Sequence, residues 1–260
     1  MKAYSFFLDI DDTLIPFGKG VISDYTLDVI KKARALGCKF FVNTGRPYCD
    51  IPKDVFSERY FDGICCGGDY VEYQGKPIYT AFFPVNDAKT LFNALMSMDK
   101  KVDFNLGGLR NRYYIGEKKP HYSDKIYVPI NSVSDLDTAF EGDKLQKYVL
   151  LDTDSPNLDA RREIGKYFNV IAHPTYTEGF ILGHDKAFLI KKTEEILGLD
   201  HGYTVAIGDS LNDTDMLRYA SVSVAMGNAP DEVKKLCSFV TDTSECDGVA
   251  KAILKLLEEW

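Results

Sequence analysis

Short apolar runs alternate with amphipathic segments in the first part of the chain. Residues 4–10 are apolar on both sides of an extended chain and predict a buried strand. Ser23 is a suitable helix N-cap, and the amphipathic segment 24–36 that follows it predicts a helix. Residues 39–42 and 63–66 predict two more strands. Strands that alternate with helices in this way indicate a parallel sheet with helical crossovers.

The pattern changes between residues 84 and 173, where the predicted elements are shorter and of mixed type. Segment 87–98 has the periodicity of a helix, whereas 112–115 and 147–151 are candidate strands. Gly107-Gly108 predicts a turn. A stretch of this kind inside an α/β pattern indicates an inserted α+β domain.

The first pattern returns after the insertion, with a predicted helix over 187–197 and a predicted strand over 203–207. The same alternation on both sides of the insertion predicts a doubly wound α/β fold with a parallel sheet. We therefore expect a core made of residues 1–83 and 174–260, which carries an α+β cap over residues 84–173.

Composition limits the classes of function. The chain has 260 residues, 45% of them hydrophobic, so it can bury a sizeable core. Its formal net charge is −8, and an acidic chain lacks the basic surface of nucleic-acid-binding proteins. No apolar stretch approaches a membrane span, and Asp9, Asp11 and Asp12 interrupt the apolar run that a signal peptide requires. We expect a cytoplasmic protein, a monomer or weak homo-oligomer, without nucleic-acid or membrane partners.

Three polar clusters follow predicted strands of the core. Asp9 and Asp11 end the first strand, and residues two apart in an extended chain point the same way. Segment 43–46 follows the second strand, and segment 208–213 joins a later strand to a helix. Ligands of such sheets bind beyond the carboxyl ends of the strands. Carboxylates gathered there repel one another unless a cation joins them, and their hard oxygen atoms suit Mg²⁺.

These clusters resemble the motifs of the haloacid dehalogenase superfamily, in the order that the family has them. The four matches are Phe6–Leu14 with the pattern hhhDxDxT, Phe40–Arg46, Lys186 and Gly208–Asp213. Segments 225–229 and 247–250 also resemble signatures of the Cof-type branch, subclass IIB. The resemblance covers nearly the whole chain and implies a Rossmann-like core with an inserted cap. Taken alone, Asp213 is typical of a helix start and Lys186 of a helix surface, so the order of the motifs carries the assignment.

The resemblance implies a role for each core residue. Asp9 would attack phosphorus and form an aspartyl-phosphate, while Asp11 would protonate the leaving oxygen and later deprotonate water. Three groups would hold Mg²⁺: Asp9, Asp209 and the backbone carbonyl of Asp11. Four groups would bind the phosphoryl oxygens: Thr44, the Gly45 amide, Lys186 and Asn212. Asp213 would support Lys186 or a water molecule bound to the metal.

Substrate selectivity is expected to come from the cap and from the segment that leads back to the core. The candidate residues are Tyr113, Tyr114, His121, Tyr122 and His184. The alternative is that the first four are ordinary aromatic residues of strands and strand edges, and that His184 is an incidental polar loop residue. Cys66-Gly67-Gly68-Asp69 stands where relatives commonly have Asn-Gly-Ala, so a contact made there by the family is lost or replaced.

Together these features predict a Mg²⁺-dependent phosphatase that acts on a small phosphate monoester such as a sugar phosphate. A phosphomutase or phosphotransferase would use the same aspartyl-phosphate but pass the phosphoryl group to a sugar hydroxyl. A non-catalytic, receiver-like phosphate sensor is a third possibility. Receivers are shorter and carry their paired acids and phospho-acceptor on different strands, so the Asp9–Asp11 pair and the long insertion disfavour it.

Overall fold

The computed structural model describes residues 3–52, 56–99, 102–116, 127–151, 157–172 and 176–258. The strands in these ranges are β1 (Ser5–Leu8), β2 (Lys39–Thr44), β3 (Gly63–Cys66), β4 (Tyr70–Tyr73), β5 (Lys76–Thr80), β6 (Asp103–Gly108), β7 (Arg112–Ile115), β8 (Tyr127–Pro129), β9 (Leu145–Leu151), β10 (Ile171–Ala172), β11 (Tyr176–Phe180), β12 (Thr204–Gly208), β13 (Val222–Ala225) and β14 (Phe239–Val240). The α-helices are α1 (Asp24–Ala35), α2 (Val85–Met96), α3 (Val133–Gly142), α4 (Leu158–Ile164), α5 (Lys186–Leu197), α6 (Thr214–Tyr219), α7 (Asp231–Lys234) and α8 (Gly248–Glu258).

The larger sheet has the strand order β14-β13-β12-β1-β2-β3-β4-β5. Its strands are parallel from β14 to β3, and β4 and β5 extend it as an antiparallel hairpin. All four residues of β1 are buried, because the two faces of the strand enter two different cores. Phe6 and Leu8 pack with residues of α1 and α8, whereas Phe7 packs with residues of α5 and α6. Helices on both faces of a parallel sheet confirm the predicted doubly wound α/β fold.

Side-chain caps define the N-terminal ends of α1 and α5. The Ser23 side chain accepts a hydrogen bond from the Thr26 amide at 3.1 Å and caps α1. Asp185 does the same for α5, where its carboxylate accepts from the Phe188 amide at 2.7 Å. These caps satisfy backbone donors that the first turn of a helix leaves open. The second cap also fixes where α5 begins, which places Lys186 at its first residue.

A second sheet has the order β10-β11-β9-β6-β7-β8 and is antiparallel except for β7 and β8. One face packs against α2, α3 and α4 through a separate apolar core that includes Phe104, Tyr148 and Leu136. Residues that stand opposite one another in neighbouring strands share a face. Asn105 pairs with Val149, which pairs with Glu178, so these three lie on the other face. β11 lies beyond the predicted cap boundary at residue 173 and belongs to this second sheet.

The turn predicted at Gly107-Gly108 is wrong, because both glycines belong to β6. Gly107 lies so close to the core that a Cβ atom there would be 2.5 Å from Pro47 Cγ. Glycine in a strand often marks such a close approach of another chain segment rather than a turn. The real turn follows at residues 109–111, before β7 begins.

Candidate active site

The carboxyl ends of three neighbouring strands bring the predicted core residues together. Asp9 follows β1, Thr44 ends β2 and Asp209 follows β12, and these strands lie side by side in register. The Asp9 amide donates to the Ile207 carbonyl at 3.1 Å, which continues the parallel ladder up to the site. Asp9 is 5% exposed, and Thr44 is buried too. The sheet therefore places the Asp9 carboxylate and the Thr44 hydroxyl at the same edge, beyond the carboxyl ends of its strands.

Lys186 reaches this edge from the start of α5. Its Nζ atom lies 2.5 Å from Asp9 Oδ1 and 2.5 Å from Asp213 Oδ1, and its side chain is buried. Asn212 Oδ1 lies 3.5 Å from the same nitrogen. Burial lowers the pKa of Lys186, but Asp213 and Asp9 outweigh this effect, so the pKa is raised. The ammonium group is therefore held as a cation beside the presumed nucleophile.

Asn43 fixes the backbone that carries this lysine. It is fully buried, and its Nδ2 donates to the Lys186 carbonyl oxygen at 3.0 Å. The sequence analysis did not select Asn43, although it stands beside Thr44 in the second motif. A buried amide next to a predicted phosphate-binding residue was the available signal.

Asp9, Asp209 and Asp213 form the acidic cluster of the site. One carboxylate oxygen from each lies within 4.8 Å of the others. Burial raises the pKa of Asp9 to about 8, with the Lys186 cation acting in the opposite direction and Asp213 adding to the rise. Burial and Asp213 likewise raise the pKa of Asp209 to about 7. A bound divalent cation would stabilise the charged forms of these acids, and a set of carboxylate oxygens fits Mg²⁺.

Two further contacts shape the cluster. The Thr13 hydroxyl, which the sequence analysis did not select, donates to Asp209 Oδ1 at 2.9 Å. Asp213 Oδ2 accepts from the amides of Asp209 and Ser210, each at 3.0 Å. Asp213 thus holds Lys186 with one oxygen and the turn after β12 with the other. This arrangement places it as a support of both the lysine and the acid Asp209.

The Asp11 side chain does not join the acidic cluster. It is 61% exposed and faces Arg46, whose Nε and Nη2 lie 2.9 and 2.5 Å from the two carboxylate oxygens. The resemblance assigns only the backbone carbonyl of Asp11 to the metal, so the position of the side chain does not conflict with the predicted metal ligands. Arg46 is another residue that the sequence analysis did not single out.

Gly45 lies under the second sheet. A Cβ atom there would be 3.0 Å from Phe180 Cζ, so a larger residue would crowd the phenyl ring. Its carbonyl oxygen accepts from Lys147 Nζ of β9 at 3.1 Å. The loop after β2, which carries the predicted phosphate-binding residues, is therefore in direct contact with the second sheet.

A cavity of about 290 Å³ lies between the second sheet and the core loop after β2. It is lined by Arg46, Pro47, Asp50, Asn105, Leu106, Gly107, Arg112, Tyr127, Lys147, Val149, Leu151, Tyr176 and Glu178. Arg46 connects the cavity to Asp11, and Lys147 connects it to Gly45. The cavity thus lies along the inner face of the second sheet, and two of its lining residues contact Asp11 and Gly45 of the core.

The candidate selectivity residues have different positions. Tyr113 is buried in the core under α2 to α4, and its hydroxyl donates to Asp143 Oδ2 at 3.0 Å, so it serves the packing of the cap. Tyr114 stands opposite Asn105 and shares its face of the sheet.

His184 stacks on Phe188 with ring centroids 4.4 Å apart, and burial lowers the pKa of His184. His121 and Tyr122 lie outside the described residues.

The model of the haloacid dehalogenase-like hydrolases matches residues 6–253. The chain belongs to this family. A 5-amino-6-(5-phospho-D-ribitylamino)uracil phosphatase of Bacillus subtilis, YcsE, is 49% identical over 251 residues, which cover 95% of this chain and 92% of the relative. A putative phosphatase of the same organism, YkrA, is 29% identical over 98% of each chain. The solved structure of the subclass IIB sugar phosphatase BT4131 has a TM-score of 0.80 at 23% identity, over 98% of this chain and 99% of that one.

Membership of the haloacid dehalogenase-like hydrolases confirms the predicted superfamily and the predicted enzyme class, a phosphoric monoester hydrolase. Of the motif residues, Asp9, Asp209 and Asp213 form the acidic cluster and Lys186 contacts it, whereas the Asp11 side chain lies outside it. Among the described helices, none is long and apolar enough to cross a bilayer.

Proposed function

We propose that this hydrolase is a Mg²⁺-dependent phosphatase that cleaves small phosphate monoesters through an aspartyl-phosphate on Asp9. The observation that carries the proposal is the buried contact of Asp9 and Asp213 with Lys186 at the carboxyl ends of the strands. A phosphoryl group placed there would meet a carboxylate nucleophile and a cation at once.

In the first step an Asp9 oxygen attacks phosphorus, and the bond from phosphorus to the ester oxygen breaks. Asp11 gives a proton to that oxygen, so the leaving group departs as an alcohol. Lys186 and the amide of Gly45 face the phosphoryl oxygens, where negative charge develops. Mg²⁺, held by Asp9, Asp209 and the Asp11 carbonyl, would offset the repulsion between the carboxylate and the phosphate.

In the second step water attacks the phosphorus of the aspartyl-phosphate, and Asp11 takes the proton of this water. Inorganic phosphate leaves and the Asp9 carboxylate is regenerated. The Asp11 side chain lies outside the acidic cluster and pairs with Arg46, which lines the cavity, so in this proposal the same carboxyl group serves both steps.

The substrate class is proposed from the cavity and from the relatives. A volume of about 290 Å³ suits the leaving group of a small metabolite. A phosphorylated polyol or sugar fits this size, and the YcsE relative is named for a substrate with a phosphorylated ribityl chain. Ribityl and sugar phosphates are therefore the first esters to assay.

The test is phosphate release from p-nitrophenyl phosphate and from a panel of sugar and polyol phosphates. Chelation of divalent cations should abolish release, and added Mg²⁺ should restore it. Lys186→Ala should lower kcat/KM for every ester about 10²- to 10³-fold, the usual effect of removing one group that stabilises the transition state. Lys192→Ala changes a partly exposed lysine of the same helix and should have no effect. Undiminished turnover without metal, or in Lys186→Ala, would contradict the proposal.

A further inference from the structure

The cavity between the second sheet and the loop after β2 contains charged side chains that are already paired. Each of its three cationic residues contacts a carboxylate within the described part of the chain. The pairs are Arg46–Asp11, Arg112–Asp50 and Lys147–Glu178. Two of these pairs are largely buried, so their charges offset each other without help from a ligand. Such a cavity is suited to an uncharged group rather than to a second anion.

Asn105 differs from these residues. It lies on β6, lines the cavity and is only 8% exposed. Its Oδ1 atom is buried and has no hydrogen-bond partner among the described residues. Buried amide oxygens are nearly always paired, because leaving one unpaired costs the desolvation of a polar group. An unpaired acceptor in the wall of an active-site cavity points to a partner that arrives with the ligand.

The position of Asn105 relates it to the leaving group. It shares the inner face of the second sheet with Val149 and Glu178, and the cavity that they line reaches Arg46 at the Asp11 carboxylate. A monoester whose phosphate occupies the acidic cluster would extend its alcohol portion into this cavity. Tyr127 and Tyr176 also line the cavity and add aromatic surface.

We propose that Asn105 is a specificity-determining residue whose side-chain oxygen accepts a hydrogen bond from a hydroxyl or N–H group of an uncharged leaving group. This inference rests on the proposed phosphatase function and adds the class of leaving group that the site selects. A site built to bind a polar group strongly disfavours an analogue that lacks it, because the protein group is then left unpaired.

The experiment compares two alkyl esters of equal chain length, ribitol 5-phosphate and n-pentyl phosphate, with p-nitrophenyl phosphate as the reference. Both alkyl esters place the same demand on the acid Asp11, so their ratio of kcat/KM reports recognition of the hydroxyls. The test variant is Asn105→Leu, which keeps the approximate shape of the side chain and removes its hydrogen bonds. The matched control is Asn86→Leu on the exposed surface of α2.

The wild type should prefer ribitol 5-phosphate, and Asn105→Leu should reduce this preference, read as the ratio of kcat/KM for the two alkyl esters, by about tenfold or more. The thermal midpoint of Asn105→Leu should rise, because an unpaired buried polar group is removed. Asn86→Leu should change neither the preference nor the aryl phosphatase activity.

An unchanged preference in Asn105→Leu, with aryl phosphate still hydrolysed, would overturn the inference and leave the phosphatase assignment standing. Equal losses on all three esters together with a lower thermal midpoint would assign Asn105 to the packing of the cap and would also overturn it. A wild-type protein that releases no phosphate from any of the three esters would contradict the proposed function and, with it, this inference.

Discussion

Asp9 and Asp69 are both buried carboxyl groups, yet their surroundings differ. Asp9 contacts the Lys186 ammonium and belongs to a cluster that fits Mg²⁺. Asp69 accepts a hydrogen bond from Gln146 Nε2 at 2.7 Å, and its Oδ2 has no partner among the described residues. Burial raises the pKa of Asp69 well above its usual value, with the Gln146 hydrogen bond acting in the opposite direction. Burial therefore favours the protonated form of Asp69, whose hydrogen bond with Gln146 links the core to β9.

The substitution Asp69→Asn tests this assignment through the pH dependence of stability. Because the folded state holds the Asp69 proton more tightly than the unfolded state, wild-type stability falls as pH rises above about 4, the unfolded pKa. Asparagine has no such proton, so the gain in unfolding free energy from Asp69→Asn should grow between pH 5.5 and pH 8. The direction of this change follows from the raised pKa of Asp69 in the folded state. Denaturant titrations at both pH values measure it, and a pH-independent difference would contradict a protonated Asp69.

Residues of the acidic cluster could be predicted from the sequence, whereas those of the cavity could not. Asp9 and Asp209 each follow a strand and Thr44 ends one, and each lies within a local motif. The neighbouring residues in the sequence therefore identify their position. Asn105 and Glu178 are 73 residues apart and share a face only through the register of β6, β9 and β11. No local pattern encodes that register, which depends on long-range pairing.

At the scale of elements, β6 decides how closely the second sheet approaches the core. Gly107 of β6 lies against Pro47, in the loop that follows Thr44 and Gly45, which are predicted to bind phosphate. Sequence analysis interpreted this glycine as a turn signal, because glycine is favoured both in turns and in strands where another chain segment approaches closely. The nearby strand β7 was predicted with its observed bounds, since its alternating pattern is local.

Gly107→Ala should weaken the seating of the second sheet on the core. The added Cβ would lie 2.5 Å from Pro47 Cγ, and the proline ring has little freedom to move aside. We expect kcat/KM to fall about tenfold for all esters, about 1.4 kcal/mol in activation free energy, because the cavity and the phosphate-binding loop share this contact. Gly142→Ala, at the end of α3, meets no atom within 4 Å and is the matched control. Equal kinetics of the two variants would show that the contact does not position the site.

For the whole molecule, two separately packed units divide the chemistry between them. The larger sheet brings together Asp9, the proposed nucleophile, with Lys186 and the acidic cluster, which the proposed mechanism uses for any phosphate monoester. The second sheet supplies most of the cavity wall and touches the core through Lys147 and Gly107. The chemistry on the phosphate and the recognition of the leaving group can therefore change independently. The order of the sequence motifs predicts the residues of the chemistry far better than those that recognise the leaving group.

The central claim is that Asp9 becomes covalently phosphorylated, and mass spectrometry of acid-quenched protein tests it most directly. Asp11→Asn should accept a phosphoryl group from p-nitrophenyl phosphate in the presence of Mg²⁺, because this leaving group needs little acid help. The variant should then hydrolyse the intermediate slowly, since the base for the water is missing. We predict a phosphorylated peptide that contains Asp9 in Asp11→Asn, and none in the double variant Asp9→Asn, Asp11→Asn. A phosphoryl group at another residue, or its presence in the double variant, would contradict the account.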